Sequence, residues 1–531
     1  MGDTEVLVVG AGPVGLTAAV ELHRRGVDCR IVDRLREPQP YARAVGVQPR
    51  TLEVWDAMGL VRDALDAAVP LYGRLTFVNG RPGPRVDLKL PSDVPYGFAA
   101  LPQYATEQLL TARLEAYGGR VERGTELLDV EQDAGTAGSV RAGLGTADGT
   151  ETVRARYVVG CDGAHSRTRQ VLGPAFEGDA FPEEYLLGDV AVDWDLPHGY
   201  AVRSVHQDAA GATGDLLVCV PLPGPGRYRM SMPVPPDLSA AQGQGDEAAH
   251  GPESGRAPEL RHIQAVLDRL SPRPTTARAL RWSSVVRIGH RLVDRYAAGR
   301  VFLAGDAAHI HPPTGAQGMN TGVQDAYNLA WKLALATQGV AADGLLDSYH
   351  AERHPVGADA VWRTGRHAAE GTEAEVLREA QLLVGYRDSP LVDADPGCPE
   401  PLPGDRAPDC RGLTGDIAAY PVRLFDLLRS PHHTLLLYAD AGAAAEELRA
   451  CATAARTAAH GRLNVFAVLA PDAPGDGLGV PRVHDRDNGF RHRYAARSPE
   501  AVVIRPDGHV SARLHPPAPE ALARHLSRTF S

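Results

Sequence analysis

Short apolar runs that end in glycine-rich loops and resume as three-and-four-spaced apolar positions recur along this chain. The first run is residues 6–9, VLVV, which has the length of a buried strand. It leads into Gly10-Ala11-Gly12-Pro13-Val14-Gly15, a helix to about Arg25, the helix-ending Gly26, and a second strand, 29–32, that stops at Asp33. The fullest instance is 301–335, VFLAGDAAHIHPPTGAQGMNTGVQDAYNLAWKLAL. There a strand at 301–304 halts at Gly305-Asp306 and opens into a loop of His, Pro and Gly. A helix comes next, with Val323, Ala326, Tyr327, Ala330, Leu333 and Ala334 on one face. A third junction joins the strand 157–159 through Gly160-Cys161-Asp162-Gly163 to a short basic helix carrying Arg167 and Arg169.

Between these junctions the periodicity changes. Residues 70–100 read as short, proline-broken strands, succeeded by Leu101-Pro102-Gln103-Tyr104 and a helix over 106–116. Residues 120–131, 139–147 and 151–156 predict a β-meander. From 178 to 286 strands alternate (185–192, 216–221, 227–232, 283–287) without βα repeats, with one helix at 259–270 and a Gly/Ala/Glu-rich mobile surface loop at 239–258. Residues 345–354 predict a helix capped by Pro355, with helix continuing to about 384. Beyond the proline-rich stretch come a strand (434–438), an Ala-rich helix (443–459), a strand (463–469), a hairpin turning at Arg505-Pro506-Asp507-Gly508 and a final helix (519–530). That order resembles a thioredoxin-like domain without its redox dithiol, which favours packing or dimerisation over redox chemistry.

The expected fold class is α/β: a Rossmann-like dinucleotide-binding domain interleaved with an antiparallel-sheet domain suited to a substrate wall, plus a C-terminal thioredoxin-like domain. The expected boundaries are 1–70, 101–177 and 285–387 for the first, 71–100 and 178–284 for the second, 388–412 as a linker, and 413–531 for the third.

Composition narrows the partners. With 531 residues and a net charge of -11, nucleic acid and anionic membrane are poor partners. The six cysteines are scattered, with no CxxC and no Cys/His ligand spacing, which argues for reduced thiols, no metal and a cytoplasmic setting. No apolar run approaches a membrane span, and the chain enters a strand at once, so neither a signal peptide nor an anchor is expected. Basic residues are almost all arginine, the only lysines being Lys89 and Lys332.

The glycines carry the first chemical reading. Gly10 makes a tight turn, Gly12 lets backbone approach a pyrophosphate, and Gly15 lets helix pack on strand. Asp33, eighteen residues after Gly15, is placed for the hydroxyls of an adenosine ribose. Gly305 and Asp306 repeat the theme with a polyol-binding acid at a strand tip and a helix end behind it. Arg43, Gln103 and Arg169 are candidates for phosphate or cofactor contact, Arg169 alternatively pairing with Asp162.

These three junctions together resemble the single-component FAD-dependent aromatic hydroxylases, the class of p-hydroxybenzoate and phenol hydroxylases. LLDSYHAERHP and the degenerate thioredoxin-like tail resemble more narrowly the branch that tailors polycyclic polyketides. The resemblance implies that Gly10, Gly12, Pro13, Val14 and Gly15 surround the FAD pyrophosphate, with Asp33 and Arg34 at the adenosine end. Arg43 and Gln103 contact the middle of the cofactor, and Gly305 and Asp306 take the ribityl chain. Pro313 and the backbone of Gly318, Met319 and Asn320 border the flavin ring, and Asp162 and Arg169 serve FAD and the transient nicotinamide.

It further implies NADPH or NADH as reductant, O2 as co-substrate, and transfer of one oxygen atom from C4a-hydroperoxyflavin to a polycyclic aromatic phenol, in the manner of antibiotic biosynthesis. His309, His311 and Tyr104 are candidates for substrate activation, none compelling. The rival activities are Baeyer–Villiger oxygenation of a polycyclic ketone, antibiotic inactivation by the same chemistry, and a non-catalytic flavin- or ligand-binding protein. A flavin halogenase is disfavoured, because the lysine expected after the first glycine motif is missing. Monomer and homodimer both fit this layout.

Overall fold

Thr4–Val9 lies at the centre of a sheet whose neighbours on either side run parallel to it. In the computed structural model, which describes residues 3–133, 138–235, 238, 258–311, 316–363, 373–393, 397–417, 420–473 and 477–531, Thr4–Val9 pairs with Cys29–Asp33 on one side and Gly149–Gly160 on the other. Val301–Leu303 adds alongside Gly149–Gly160, again parallel. Register sets where the chain leaves this sheet. Val9 aligns with Val32 and with Gly160, and Gly160 aligns with Leu303. All three glycine-and-acid junctions therefore leave the same edge of one sheet, the carboxyl edge where α/β folds bind ligands.

The glycines at that edge are there for contact distance. Gly10 has φ +98°, and a Cβ on it would lie 2.4 Å from the Cys161 carbonyl oxygen. A Cβ on Gly15 would lie 1.8 Å from the Gly10 carbonyl oxygen. Gly12 differs: a Cβ there would meet nothing within 4 Å, because its face opens onto a cleft.

One expected break is absent. Residues 151–159 belong to a single strand, Gly149–Gly160, whose first half pairs antiparallel with Val140–Thr146 and whose second half enters the parallel sheet. Its burial changes from alternating to continuous at that point, and the change of environment mimics a strand boundary in the sequence.

The second large sheet is almost wholly antiparallel. It runs, in spatial order, His309–Ile310, Arg278–Val293, Phe176–Ala191, Arg227–Pro233, Thr213–Pro221, Tyr200–Gln207, Gly73–Val78 and Arg81–Asp87. Gly73–Val78 joins through a parallel pairing with Tyr200–Gln207, a strand that the polar positions Arg203, Ser204 and His206 hide from an apolar count. Helix Leu260–Leu270 covers one face of this sheet, with Ile263, Val266, Leu267 and Leu270 against Leu186, Val190, Cys219, Met230 and Met232. The opposite face turns toward the parallel sheet. Arg291 and Leu292 pair with Ile310 and His309, which couples the sheet to the chain just after Asp306. Most of the 239–258 loop lies outside the described residues.

The C-terminal sheet places Leu413–Thr414, Arg482–Asp485, Leu463–Leu469, His433–Ala439, Glu500–Ile504 and Val510–Leu514 in that order. A parallel central pair joined to an antiparallel pair, with helices Ala445–Ala458 and Pro519–Leu526 packed on it, is compatible with a thioredoxin-like unit. The six cysteines are buried, and among the described residues none forms a disulfide. The 388–412 stretch runs against this unit, burying Leu391, Val392, Cys398, Ala407 and Cys410.

Helix Asp347–Arg363 continues through Pro355 instead of ending before it. An interior proline costs roughly 3 kcal/mol, and the residues just before it supply the compensation. Glu352 accepts from Lys332 Nζ at 2.7 Å, from both terminal nitrogens of Arg505 at 2.6 and 2.8 Å, from Asn328 and from Ser389. Arg505 also pairs with Asp507, which takes Trp331 Nε1 and Asn328 Nδ2. All the charged members are buried. Burial alone would raise the Glu352 carboxyl; Arg505 and Lys332 outweigh it and hold it well below the usual range.

A buried pair broken from one side typically costs about 3–5 kcal/mol. Glu352→Ala should lose stability of that order in urea unfolding. Because the Glu352 value is depressed in the folded state, its contribution is complete above its ordinary value of 4.5 and is lost as pH falls through the folded value. Stability should therefore fall more steeply on acidification below that pH in the wild type than in Glu352→Gln.

Candidate active site

The edge where the three junctions meet opens into a cleft of about 410 Å³, within the roughly 300–1,000 Å³ typical of cofactor and substrate pockets. Gly10, Gly12, Pro13, Val14, Asp33 and Arg34 line it at the strand tips. Arg43, Gln103, Glu107, Asp162 and Asp306 line its middle. Leu187, Arg229, Val286, Ile310, His311, Gly318 and Met319 line it toward the antiparallel sheet.

At the strand tips, helix Pro13–Arg24 begins at Gly12 with no side chain capping it, so its first N–H groups and positive dipole end face the cleft unclaimed. Asp33 holds the loop in shape: Oδ2 accepts from Ala11 N at 2.7 Å and Oδ1 from Leu35 N at 2.8 Å. Arg123 lies 3.6 Å from the same carboxylate.

In the middle, two charged groups face each other without partners among the described residues. Arg43 stacks its guanidinium 4.7 Å from the Tyr41 ring centre, and its buried Nε has no hydrogen-bond partner. Burial lowers its pKa against the attraction of Tyr41, Asp306 and Glu107. Asp306, in the turn Gly305–Ala307, makes no hydrogen bond or ion pair among the described residues and is exposed on the cleft wall, enclosed by the walls around it. Burial raises its carboxyl, partly offset by His309, Arg43 and Arg169. Gly305 has φ +61°, and a Cβ there would sit 2.8 Å from a Val14 methyl, so this turn and the first glycine loop are in contact.

Glu107 is a site residue that the sequence pattern does not single out. It accepts from Gln103 Nε2 at 2.9 Å, lines the cleft, and is pushed by burial up to about 7. Its one legible signal is the four-residue spacing from Gln103 on a single helix face.

Other expected residues sit differently. Asp162 lines the cleft, but its oxygens accept from Ser166 Oγ at 2.5 Å and from Thr168 N at 2.9 Å, closing the start of helix Arg167–Leu172. With that carboxylate taken, Arg169 forms no pair with it. Arg169 is buried away from the cleft wall, donating to Ala307 O at 3.1 Å and Ala164 O at 2.6 Å over the Phe176 ring. It ties two cleft loops together.

Asn320 is fully buried, and its side chain staples the long helix to residues 46–51: Nδ2 donates to Gly46 O, and Oδ1 accepts from Gln48 N and Thr51 Oγ1. Gly318 and Met319, in the first turn of helix Gln317–Thr337, do reach the cleft, and that helix also starts without a side-chain cap. Pro313 lies outside the described residues.

The three activation candidates separate. His309 is fully buried, with Nε2 2.7 Å from Asp325 Oδ2 and its ring stacked between Tyr296 and His311. Tyr104 is off the cleft wall, its hydroxyl taken by Arg281. His311 lines the cleft, neither ring nitrogen has a partner among the described residues, and burial next to His309 pushes it down to about 3. It is therefore a neutral imidazole at working pH.

Two helix starts without a side-chain cap, the open face of Gly12, and Arg43 and Asp306, unpaired among the described residues, fit an elongated ligand with a pyrophosphate and a polyol. The relatives agree. Residues 3–364 match the family model described as FAD binding domain, and residues 400–531 match that of the aromatic-ring hydroxylase C-terminal region. The chain is 35% identical to 6-methylpretetramide 4-monooxygenase of Streptomyces rimosus, over 96% of this chain and 90% of that one. It is 34% identical to pentachlorophenol 4-monooxygenase of Sphingobium chlorophenolicum, over 82% and 80%. Aklavinone-11 hydroxylase, solved with FAD and aklavinone, superposes with a TM-score of 0.78 over 99% of both chains at 27% identity. The chain thus belongs to the FAD-dependent aromatic-ring hydroxylases, and is a flavin-dependent monooxygenase.

Proposed function

We propose that this monooxygenase hydroxylates a polycyclic phenol of polyketide type, taking one oxygen atom from O2 at the expense of NAD(P)H. One observation carries the reading. The cleft passes without interruption from the uncapped helix ends and Asp306 to an apolar wall of Leu187, Val286, Ile310 and Met319, so a flat apolar substrate and the reactive end of a cofactor would share one space. The relatives whose names specify tetracyclic or related aromatic substrates point to the same class.

In this reading the loop 10–15 and the start of helix Pro13–Arg24 hold the FAD pyrophosphate, Asp33 and Arg34 the adenosine, Arg43 and Gln103 the centre, and Asp306 the ribityl hydroxyls. Asp162 lies beside the cofactor through its loop. The chemistry supplied by bound FAD is reduction by NAD(P)H and activation of O2 for transfer to the ring. The chain does the rest. The first turn of helix Gln317–Thr337 points its positive end at the reactive region and stabilises negative charge there. Leu187, Val286 and Ile310 exclude water from the ring being oxidised. His311, neutral and unpartnered among the described residues, is free to exchange a hydrogen bond with a substrate hydroxyl. Six scattered, buried thiols, none in a disulfide among the described residues, support a reducing, cytoplasmic setting.

Asp306→Ala should weaken FAD retention about ten- to a hundredfold, the size expected for losing hydrogen bonds to a charged group, measured as flavin absorbance kept after gel filtration. Full occupancy in that variant would remove Asp306 from the site. NAD(P)H consumption by the yellow wild-type protein should accelerate with polycyclic phenols, and NMR of the product should show a new ring hydroxyl. A ring-expanded lactone, or no acceleration across anthracyclinones, angucyclinones and tetracyclic precursors, would overturn the reading.

A further inference from the structure

One buried charge has no use in the cofactor site. Arg229, in strand Arg227–Pro233, is 7% exposed and lines the cleft near Leu187 and Val286. Its Nε and Nη1 lack hydrogen-bond partners, and it forms no ion pair among the described residues. The carboxylate opposite it turns to another arginine. Asp189 stands directly across the ladder from Arg229, yet its Oδ1 accepts from Arg227, and its buried Oδ2 has no hydrogen-bond partner among the described residues, Arg229 included. Burial brings the guanidinium down to about 10, which still leaves a cation at neutral pH. An unpaired buried cation is costly, and a fold bears that cost most readily where a ligand cancels it.

The setting says what kind of ligand. On the adjoining strands Val220 pairs directly with Arg229, and Leu187 lies two residues from Asp189 on the same face. Both belong to an apolar cluster with Val45, Leu222, Trp282 and Val286. An apolar wall carrying an unpaired planar cation suits a flat ring system bearing an acidic oxygen edge. Polycyclic phenols with a ring carbonyl beside a hydroxyl present two coplanar oxygens on one edge, and the guanidinium fork matches two such acceptors.

We propose that Arg229 is a specificity-determining residue that holds this keto–phenol edge of the substrate in its ionised form. The inference rests on the polycyclic-phenol reading above. A cation at bonding distance favours the phenolate, and the phenolate is the electron-rich form of the ring that the reaction oxidises. Arg229 thereby joins orientation and activation in one contact, while His309 and Tyr104 are occupied elsewhere.

The test compares FAD-loaded wild type, Arg229→Gln and Arg229→Lys by titration with a peri-hydroxyanthraquinone and with the parent anthraquinone. Wild type should bind the hydroxylated probe and shift its visible absorption to that of the anion. Arg229→Gln should bind it at least about tenfold more weakly without the shift, and Arg229→Lys should keep the shift with part of the affinity. The parent quinone should not distinguish the three.

Flavin content should be equal throughout, and the melting temperature of Arg229→Gln should match or exceed that of the wild type, since an unpaired cation is removed. Equal affinities and identical bound spectra would overturn the inference alone, provided the wild type turns over polycyclic phenols. Lost flavin or a lowered melting temperature with probe binding intact would reassign Arg229 to the cofactor or the scaffold and overturn it as well. A wild type that neither binds nor oxidises any polycyclic phenol would overturn the substrate reading and this inference with it.

Discussion

The half of the cleft around Asp306 depends on one buried carboxylate, Asp325. From the long helix Gln317–Thr337 it accepts from Gly305 N at 3.1 Å, from His309 Nε2 at 2.7 Å and from Arg353 Nε at 2.7 Å. Those three donors belong to the turn that presents Asp306, to the strand that joins the antiparallel sheet, and to the helix that contacts the C-terminal unit. Burial would raise the Asp325 carboxyl, but Arg353 and His309 outweigh it and keep it below its ordinary value. An ionised acid with three charged or polar donors is thus preorganised before any ligand arrives. The position of Asp306 is inherited from it.

From that anchor the cleft divides electrostatically. Toward the glycine loop it offers the uncapped start of helix Pro13–Arg24, Arg43 and the open backbone at Gly12, all suited to a charged and hydroxylated chain. Toward the antiparallel sheet it offers Leu187, Val286, Ile310 and Met319, interrupted by Arg229 and the neutral His311. The contrast has a structural origin. A parallel sheet exposes the carboxyl ends of strands and the amino ends of helices together, whereas an antiparallel sheet presents side chains on a flat face. Polar anchoring and apolar packing come from the two architectures, and the pairing of Arg291 and Leu292 with residues 309–310 fixes one against the other.

This division also explains how much is legible in the sequence. Gly10, Gly12, Gly15 and Asp33, like Gly305 and Asp306, act through local backbone geometry, so a strand–glycine–helix pattern is already a statement about shape. Residues whose meaning depends on register are not legible. Arg229 is one of several arginines in a strand until the ladder shows Asp189 engaged elsewhere. Asp325 reads as an exposed polar position between the apolar residues of its helix until Arg353 and Gly305 converge on it. Arg169 and Asp162 are near in sequence and of opposite charge, yet the helix start between them claims the carboxylate first. Strand Arg278–Val293 shows only its 283–287 segment to a sequence pattern, because Arg278 and Arg281 conceal one end and Gly289, His290 and Arg291 the other.

Pro355 shows the same competition at the level of energy. Proline's local preference is to cap the helix at His354, and that preference is lost because Glu352 and Arg353, on the preceding turn, are each locked into buried ion pairs. Glu352 reaches Arg505 in the C-terminal unit, and Arg353 reaches Asp325 beneath the turn that presents Asp306. Arg353 also donates to the Tyr386 hydroxyl at 3.0 Å, and that ring packs on His509 with centroids 4.3 Å apart. Two adjacent residues of one helix thus connect the turn at 505–508 to the turn at 305–307 through a continuous set of buried, charge-assisted hydrogen bonds. A C-terminal unit without a redox dithiol retains, in this arrangement, a physical reason to be present: it completes the charge balance of the helix that holds Asp325, and through Asp325 the turn that presents Asp306 to the cleft.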